Sequence, residues 1–205
     1  MIDILFVSHN IEAVQALCTK TVLLDSGKIQ LFDTTEKVVS AYMNKIPQTN
    51  KPALRDRVDR AGDGRLRVTN FKLMSGGVET KNLVSGETGE LWFEYVVNDK
   101  KLTEIDFSIG IDALPSNHRI ATISSVMNGK KIKVNSEGGL VKFKIDKLAL
   151  NAGHYQFTVF VDENKKIVDW VRGVAIITVD PGHFYSTGKM PEQGNLLLDY
   201  TVTNE

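Results

Sequence analysis

The spacing of hydrophobic residues along this chain of 205 residues changes from helical near the start to alternating beyond about residue 65. Val141 and Phe143, for example, alternate with Lys142 and Lys144, which is typical of a strand with one buried face. Turn residues separate candidate strands at 66–73, 89–97, 105–112, 120–124, 139–145, 153–162, 167–179 and 196–202. Short strands divided by frequent turns predict a mainly β fold, an antiparallel immunoglobulin-like β-sandwich over residues 65–205.

Residues 1–45 have a different, α/β pattern. The apolar run at residues 4–7 predicts a buried strand. Apolar side chains at helical spacing follow it, and a second helix is predicted from Thr35. Between the two helices, strands at 21–25 and 28–32 flank the turn Asp25-Ser26-Gly27. We therefore expect a short α/β segment before the sandwich.

Residues 46–64 join the two parts and show neither the hydrophobic spacing of a helix nor the alternation of a strand. Proline residues interrupt the stretch, and arginine residues interleave with aspartate residues at Arg55, Asp56, Arg57, Asp59, Arg60 and Asp63. Two interpretations remain open for this charged stretch: a solvated linker, or a strip that docks against another domain.

The charge balance and the single cysteine narrow the class of protein. Lys plus Arg and Asp plus Glu each total 25, so the formal net charge is zero. Without a strong basic field we expect no nucleic-acid partner. Cys18 is the only cysteine, which excludes an internal disulfide and is typical of a reducing compartment. No apolar stretch approaches the ~20 residues of a membrane-spanning helix, and no signal peptide is predicted. These features predict a cytoplasmic protein.

The first part resembles the end of an ABC-transporter ATPase domain of the kind that serves polysaccharide export. The matching sequences are VSHN at 7–10, LLDSGKI at 23–29 and VVSAY at 38–42. The resemblance places His9 at the switch histidine, whose imidazole would contact the γ-phosphate of ATP. The chain contains no G-x-x-x-x-G-K-[ST], no LSGGQ-type signature and no apolar run ending in Asp-Glu. We therefore expect residues 1–45 to be an ATPase remnant in which His9 is isolated, with ATP and Mg²⁺ as cofactors only of a complete parent protein.

The second part resembles the carboxy-terminal domain of the Wzt-type export ATPases. The matching sequences are LALNAGHYQFTVFV at 148–161, FTVFVDENKKIVDWVRGVAIITV at 157–179 and the Gly- and Pro-bearing loop at 181–194. The resemblance implies that the sandwich recognises the non-reducing end of an O-antigen polysaccharide before its export. It also implies two protein partners: the membrane-spanning exporter subunit, reached through the ATPase domain, and a second copy in a homodimer. The implied location is the cytoplasm, peripheral at the inner membrane.

Alternation nominates the residues that could contact a sugar, because an aromatic side chain that stacks on a sugar must lie on the outer side of a sheet. On such a strand face Trp92 has the neighbour Glu94. Phe160 likewise has the neighbours Gln156 and Thr158. The predicted carbohydrate-binding residues, on the outer side of one sheet, are Trp92, Glu94, Gln156, Thr158, Phe160 and Arg172.

Other interpretations remain open for these residues. A loop or a partner subunit could cover Trp92 and Phe160, and Arg172 could pair with Asp162 or Asp169. The sandwich could likewise be an assembly module that dimerises the ATPase and binds no sugar. The sequence favours neither catalysis nor metal binding, because it offers no evident carboxylate pair, nucleophilic triad or histidine spacing such as H-x-x-x-H.

Overall fold

The computed structural model describes residues 4–8, 11–45 and 52–203, and the chain forms two compact units that divide between residues 50 and 51. His9, the predicted switch histidine, lies outside the described residues. No helix in the described ranges is long and apolar enough to cross a membrane.

The first unit contains two helices and a hairpin: α1 (Ile11–Leu17), β1 (Lys20–Asp25), β2 (Lys28–Thr34) and α2 (Thr35–Lys45). Ser26 and Gly27 at the hairpin turn have φ values of 51° and 76°, as a type I′ turn requires. The hydroxyl of Thr35 donates to the carbonyl oxygen of Cys18 at 2.7 Å, which fixes the start of α2. The predicted order of helix, hairpin and helix is present in the structure.

Residues 4–7 do not form the predicted strand. They have no regular secondary structure, and Leu5 and Val7 are 90% and 87% exposed. A buried parallel strand needs neighbours that pair with its backbone on both sides. Within the described part of this unit, the only sheet is the β1–β2 hairpin, which does not include residues 4–7. The strand prediction is therefore wrong for this segment.

The second unit is built from short strands. Two 3₁₀ turns, Leu54–Asp56 and Val126–Asn128, accompany them. The strands are β3 (Arg60–Ala61), β4 (Leu66–Ser75), β5 (Val78–Glu79), β6 (Asn82–Val84), β7 (Gly89–Val97), β8 (Glu104–Leu114), β9 (His118–Ser124), β10 (Ile132–Lys133), β11 (Gly139–Ile145), β12 (Gly153–Glu163), β13 (Lys166–Val171) and β14 (Ile176–Asp180).

These strands form two sheets that face each other. The strand order of the small sheet is β11-β7-β4-β5. In the large sheet, β8 and β12 form the antiparallel centre; β9 and β10 lie beside β8, and β13 and β14 lie beside β12. Beyond β13 the edge continues with β3, and β6 pairs with β14 in parallel. The prediction of a mainly β fold with antiparallel sheets is confirmed.

The core between the two sheets takes alternate side chains from each long strand. Phe93 of β7 and Phe107 of β8 are fully buried, and their ring centroids lie 5.3 Å apart. Phe157 of β12 packs against Phe71 of β4, with ring centroids 5.7 Å apart. Burying one such large side chain stabilises the fold by roughly 1.5–3 kcal/mol. The aromatic layer therefore holds the two sheets together and leaves the intervening side chains on the outer faces.

The predicted strand at 167–179 is two strands in the structure. Gly173 separates β13 from β14, and its φ of 59° lies in the left-handed region. After this break the chain pairs again with β12, where the amide of Val174 donates to the carbonyl oxygen of Phe157 at 2.8 Å. The glycine therefore marks a break in pairing that alternation alone did not reveal.

The predicted strand at 196–202 is reduced to one bridge, between Leu196 and Leu150. Leu197 is buried, and its amide donates to the carbonyl oxygen of Ala149 at 2.9 Å. The segment thus follows its own sandwich without the repeated pairing of a strand.

The charged stretch before β4 packs on the sandwich. Arg60 forms an ion pair with Asp169 of β13, and both side chains are almost completely buried. Arg57 is also buried and donates hydrogen bonds to the carbonyl oxygens of Arg172 and Gly173. Of the two interpretations of this stretch, the solvated linker is wrong for residues 54–61, which we call the docked segment.

Candidate functional site

The six predicted carbohydrate-binding residues lie on the two opposite outer faces of the sandwich. Trp92 and Glu94 belong to β7 of the small sheet. Gln156, Thr158 and Phe160 belong to β12 of the large sheet, and Arg172 directly follows β13 in the same sheet. Because the core separates the sheets, the two groups point away from each other. The expectation that all six share one face is therefore wrong, since alternation shows which side chains point outward but not which sheet a strand joins.

The first group lies in a surface that we call the small-sheet surface: Lys72, Glu90, Trp92, Glu94 and Lys142. The indole N–H of Trp92 donates to Glu90 at 2.7 Å, and the ammonium group of Lys142 lies 3.8 Å from the ring centroid. A hydrogen bond from Lys72, assisted by one from Asn70, holds the pKa of Glu94 below its usual value. Trp92 thus has its donor and one ring face occupied by side chains of its own sheet.

The second group lies in a surface that we call the large-sheet surface: Gln156, Thr158, Phe160, Trp170 and Arg172. Phe160 and Trp170 are directly opposite each other on β12 and β13. Their ring centroids are 6.0 Å apart with an interplanar angle of 76°, a favourable edge-to-face arrangement. The guanidinium carbon of Arg172 lies 4.6 Å from the centroid of Trp170. This contact shows that Trp170 and Arg172 lie on the same face of the large sheet.

Polar groups of the large-sheet surface have bonding capacity that the described residues leave unused. In the described ranges, the indole N–H of Trp170 donates to no protein acceptor, and Arg172 forms no ion pair with Asp162 or Asp169. Arg172 is exposed and Gln156 is partly exposed. The surface therefore offers aromatic rings, a cation and an amide side by side.

An ion pair between a buried aspartate and an exposed arginine supports this surface from the neighbouring strands. Arg119 of β9 binds both carboxylate oxygens of Asp112 of β8. The hydroxyl of Thr158 donates to the same carboxylate at 3.3 Å. The guanidinium of Arg119 crosses Gly110, where a Cβ atom would lie 2.0 Å from its Cζ atom. Thr158, predicted to contact a sugar, is only 5% exposed, and its hydroxyl proton is used by Asp112. The role of Asp112 was missed in the sequence, although a glycine inside a strand can signal such a close approach.

The fold and the two surfaces define a class of protein: an antiparallel β-sandwich module that presents aromatic and polar side chains on its outer faces. Residues 57–191 match the family model of the Wzt C-terminal domain. The chain belongs to this family.

Solved structures give a similar result for the fold. A crystal structure of the C-terminal domain of Wzt matches with a TM-score of 0.59 and 17% identity, and the match covers 76% of this chain and 93% of that chain. The alkylpurine DNA glycosylase AlkC of Pseudomonas fluorescens, bound to DNA, matches with a TM-score of 0.37 and 10% identity over 57% of this chain and 30% of that chain. The second score is too low to support any argument. No curated protein matches the chain in sequence.

Proposed function

We propose that the sandwich recognises the non-reducing end of an O-antigen polysaccharide through the large-sheet surface, as the carbohydrate-binding part of an ABC exporter. The observation that carries this proposal is the contact series Phe160–Trp170–Arg172 on an outer face, next to the partly exposed amide of Gln156. Aromatic rings can pack on the apolar C–H face of a sugar ring, and the polar neighbours can bond to its hydroxyl groups. Family membership supports the carbohydrate-binding and export context.

The small-sheet surface is the weaker candidate because Trp92 is already engaged. A sugar stacking on the covered ring face would have to displace Lys142, at a cost of about 0.5–1 kcal/mol for an exposed cation–π contact. It would also compete with Glu90 for the indole N–H. Trp170 keeps its N–H available among the described residues. We therefore assign Gln156, Phe160 and Arg172 to the glycan site, with Thr158 buried beneath it, and we use Trp92 and Glu94 on the opposite face as controls.

The remaining context is also part of the proposal. The ATPase resemblance of residues 1–45 supports attachment to a motor domain that binds ATP and Mg²⁺ and contacts a membrane-spanning exporter subunit. Such a subunit would act on the cytoplasmic side of the inner membrane and as a homodimer. The sandwich itself would bind its glycan without catalysing a reaction.

The experiment is calorimetric titration of the purified chain with the O-polysaccharide of its source organism. Trp170→Ala tests the large-sheet surface, and Trp92→Ala is the matched control on the opposite face. We expect Trp170→Ala to weaken binding at least tenfold, about 1.4 kcal/mol, and Trp92→Ala to leave it unchanged. Far-ultraviolet circular dichroism and the melting temperature verify that both variants are folded.

Each other outcome has a defined meaning. Loss of binding only in Trp92→Ala would move the site to the small-sheet surface. A folded wild-type chain that binds no O-polysaccharide would overturn the proposed function and support the assembly module that binds no sugar.

A further inference from the structure

Arg57 in the docked segment uses all its guanidinium nitrogens in hydrogen bonds. Nε and Nη2 donate to the two carboxylate oxygens of Asp59 at 2.8 and 2.7 Å. Nη1 donates to the carbonyl oxygen of Gly173 at 2.8 Å, and Nη2 also donates to that of Arg172 at 2.7 Å. The Arg57 side chain is 2% exposed, whereas that of Asp59 is 62% exposed. Arg57 is thus anchored by Asp59 at the surface and directed at two backbone carbonyl groups.

These two carbonyl groups lie where the sheet edge is interrupted. Strand β13 ends at Val171 and β14 begins at Ile176, and Gly173 between them has a left-handed φ. Carbonyl groups that leave a strand ladder in a buried position need another donor. Arg57 supplies that donor to two consecutive residues with charge-assisted hydrogen bonds, which are the stronger kind.

One residue of the large-sheet surface, Arg172, lies at the same break between β13 and β14. Arg172 accepts a hydrogen bond from Arg57 through its carbonyl oxygen, while its guanidinium lies over the ring of Trp170. The docked segment also pairs with β13 through β3, where Ala61 is opposite Trp170 and Arg60 is opposite Val171. The docked segment therefore contacts the backbone of both Trp170 and Arg172.

We infer that the docked segment is a positioning element of the large-sheet surface, with Arg57 as its positioning residue, and that docking of the segment and binding of glycan are thermodynamically linked. This inference rests on the proposed function of that surface. If the segment leaves, the break at residues 172–173 loses its two donors, and Arg172 is no longer held above Trp170. A glycan that binds only the docked arrangement must stabilise docking by the same factor by which docking strengthens glycan binding.

The linkage between docking and glycan binding would also affect the chain that precedes the docked segment. The docked segment is continuous in sequence with residues 1–50. Its β3 is only two residues long and lies at the edge of the sheet, and edge elements of this kind open more readily than central strands. Glycan binding would therefore fix the point at which this preceding chain leaves the sandwich.

A first measurement tests positioning without any glycan. In a Trp92→Phe background, the emission of Trp170 reports its contact with Arg172. Arg57→Ala should shift this emission, because Arg172 loses the donor that fixes its backbone. Arg55→Ala is the matched control, since Arg55 is an exposed arginine in the same segment. Asp59→Asn is a milder second variant, which weakens the anchor of Arg57 by removing the charge and one acceptor oxygen of an exposed side chain.

A second measurement tests the linkage with the same O-polysaccharide. Calorimetric affinity should fall at least tenfold in Arg57→Ala, fall less in Asp59→Asn, and stay unchanged in Arg55→Ala. In the wild-type chain, saturating polysaccharide should slow hydrogen exchange of the amide of Ala61, which is paired with Trp170 of β13, at least tenfold, because binding suppresses undocking. The amide of Arg60 is not used, because it donates to the carbonyl oxygen of Val58 within the docked segment.

The outcomes separate this inference from the proposed function. If the wild-type chain binds polysaccharide but Arg57→Ala and Asp59→Asn keep its affinity and the Trp170 emission, the inference is overturned and the proposed function stands. If binding is lost in the variants while exchange at Ala61 is unaffected by polysaccharide, positioning holds and linkage is overturned. If the wild-type chain binds no polysaccharide, the proposed function and the linkage fail together, and the Trp170 emission alone decides whether Arg57 positions Arg172.

Discussion

Asp169 is the buried group on which the sandwich should depend most strongly. It has no solvent exposure. One carboxylate oxygen accepts from Nε of Arg60 at 2.9 Å and from Arg67 at 3.0 Å. The other accepts from Nη2 of Arg60 and from the amide of Val68 at 2.9 Å. A single side chain of the large sheet thus binds the docked segment and the small-sheet strand β4, so its removal should affect the whole unit.

The size of the effect follows from what Asp169→Ala leaves behind. The Arg60 side chain is 4% exposed, so its charge would remain buried without a carboxylate partner. Removing one partner of a buried ion pair costs about 3–5 kcal/mol. Arg67, at 29% exposure, can turn towards water and should add little. With roughly 2–4 °C per kcal/mol for a protein of this size, we expect the melting temperature to fall by about 6–20 °C.

Urea unfolding followed by tryptophan fluorescence measures the stability of the sandwich itself, since both tryptophans lie in it. Asp146→Ala is the matched control, because the Asp146 side chain is 81% exposed in its pair with Lys144; its free energy of unfolding should equal that of the wild type. The double variant Asp169→Ala with Arg60→Ala should lose less than the sum of the two single variants, because it leaves no Arg60 charge buried. A loss in Asp169→Ala no larger than in the control would refute the reasoning.

Two further predictions concern single buried positions. Tyr155→Phe removes the hydroxyl that donates to the carbonyl oxygen of Asn151 at 2.7 Å, and urea unfolding near neutral pH should show a loss of about 1 kcal/mol. Burial raises the pKa of Tyr155 to about 12. Because the tyrosine of the unfolded chain ionises first, the stability advantage of the wild type over Tyr155→Phe should shrink as the pH rises from about 10 towards that value. A stability advantage independent of pH would contradict this. Gly62→Ala would place a Cβ atom 2.4 Å from the carbonyl oxygen of Val168 at a φ of +110°. Its melting temperature should fall further than that of Gly77→Ala, where φ is +81° and nothing lies within 4 Å of the added atom; equal losses would show that the contact with Val168 is readily relieved.

The long strands were predictable because each one has a buried face and an outer face. The predicted ranges 89–97 and 139–145 agree with β7 and β11, where alternation reports directly on burial. Strands of two or three residues, such as β3 and β6, are too short to show a period. Residues 4–7 fail for a different reason. An apolar run indicates that burial would be favourable, but a strand forms only where another strand supplies its hydrogen bonds.

The strand face of each candidate residue was predictable from alternation, but the sheet to which its strand belongs was not. Trp92 and Phe160 both point outward as alternation requires. Their separation onto opposite faces depends on which strands pair, and that is decided by contacts between residues far apart in sequence. The sequence could not decide between the two interpretations of the docked segment for a similar reason: Arg57 and Arg60 are charged, and only distant partners, among them Asp169, make their burial favourable.

Arg57 and Asp169 both bury charge to serve backbone groups. Exchanging Asp169 and its arginine partners for apolar side chains would leave the amide of Val68 without an acceptor, and the carbonyl oxygens of Leu54 and Val68 without the donor that Arg60 supplies. The partners of Arg57 include two backbone carbonyl oxygens, which remain in place whatever side chains surround them. No apolar residue can donate to those oxygens, and lysine, as a compact point charge, lacks the planar fork that reaches both of them and Asp59. The requirement for arginine at position 57 is therefore imposed by the break between β13 and β14, which is also the feature that presents Arg172 to the large-sheet surface.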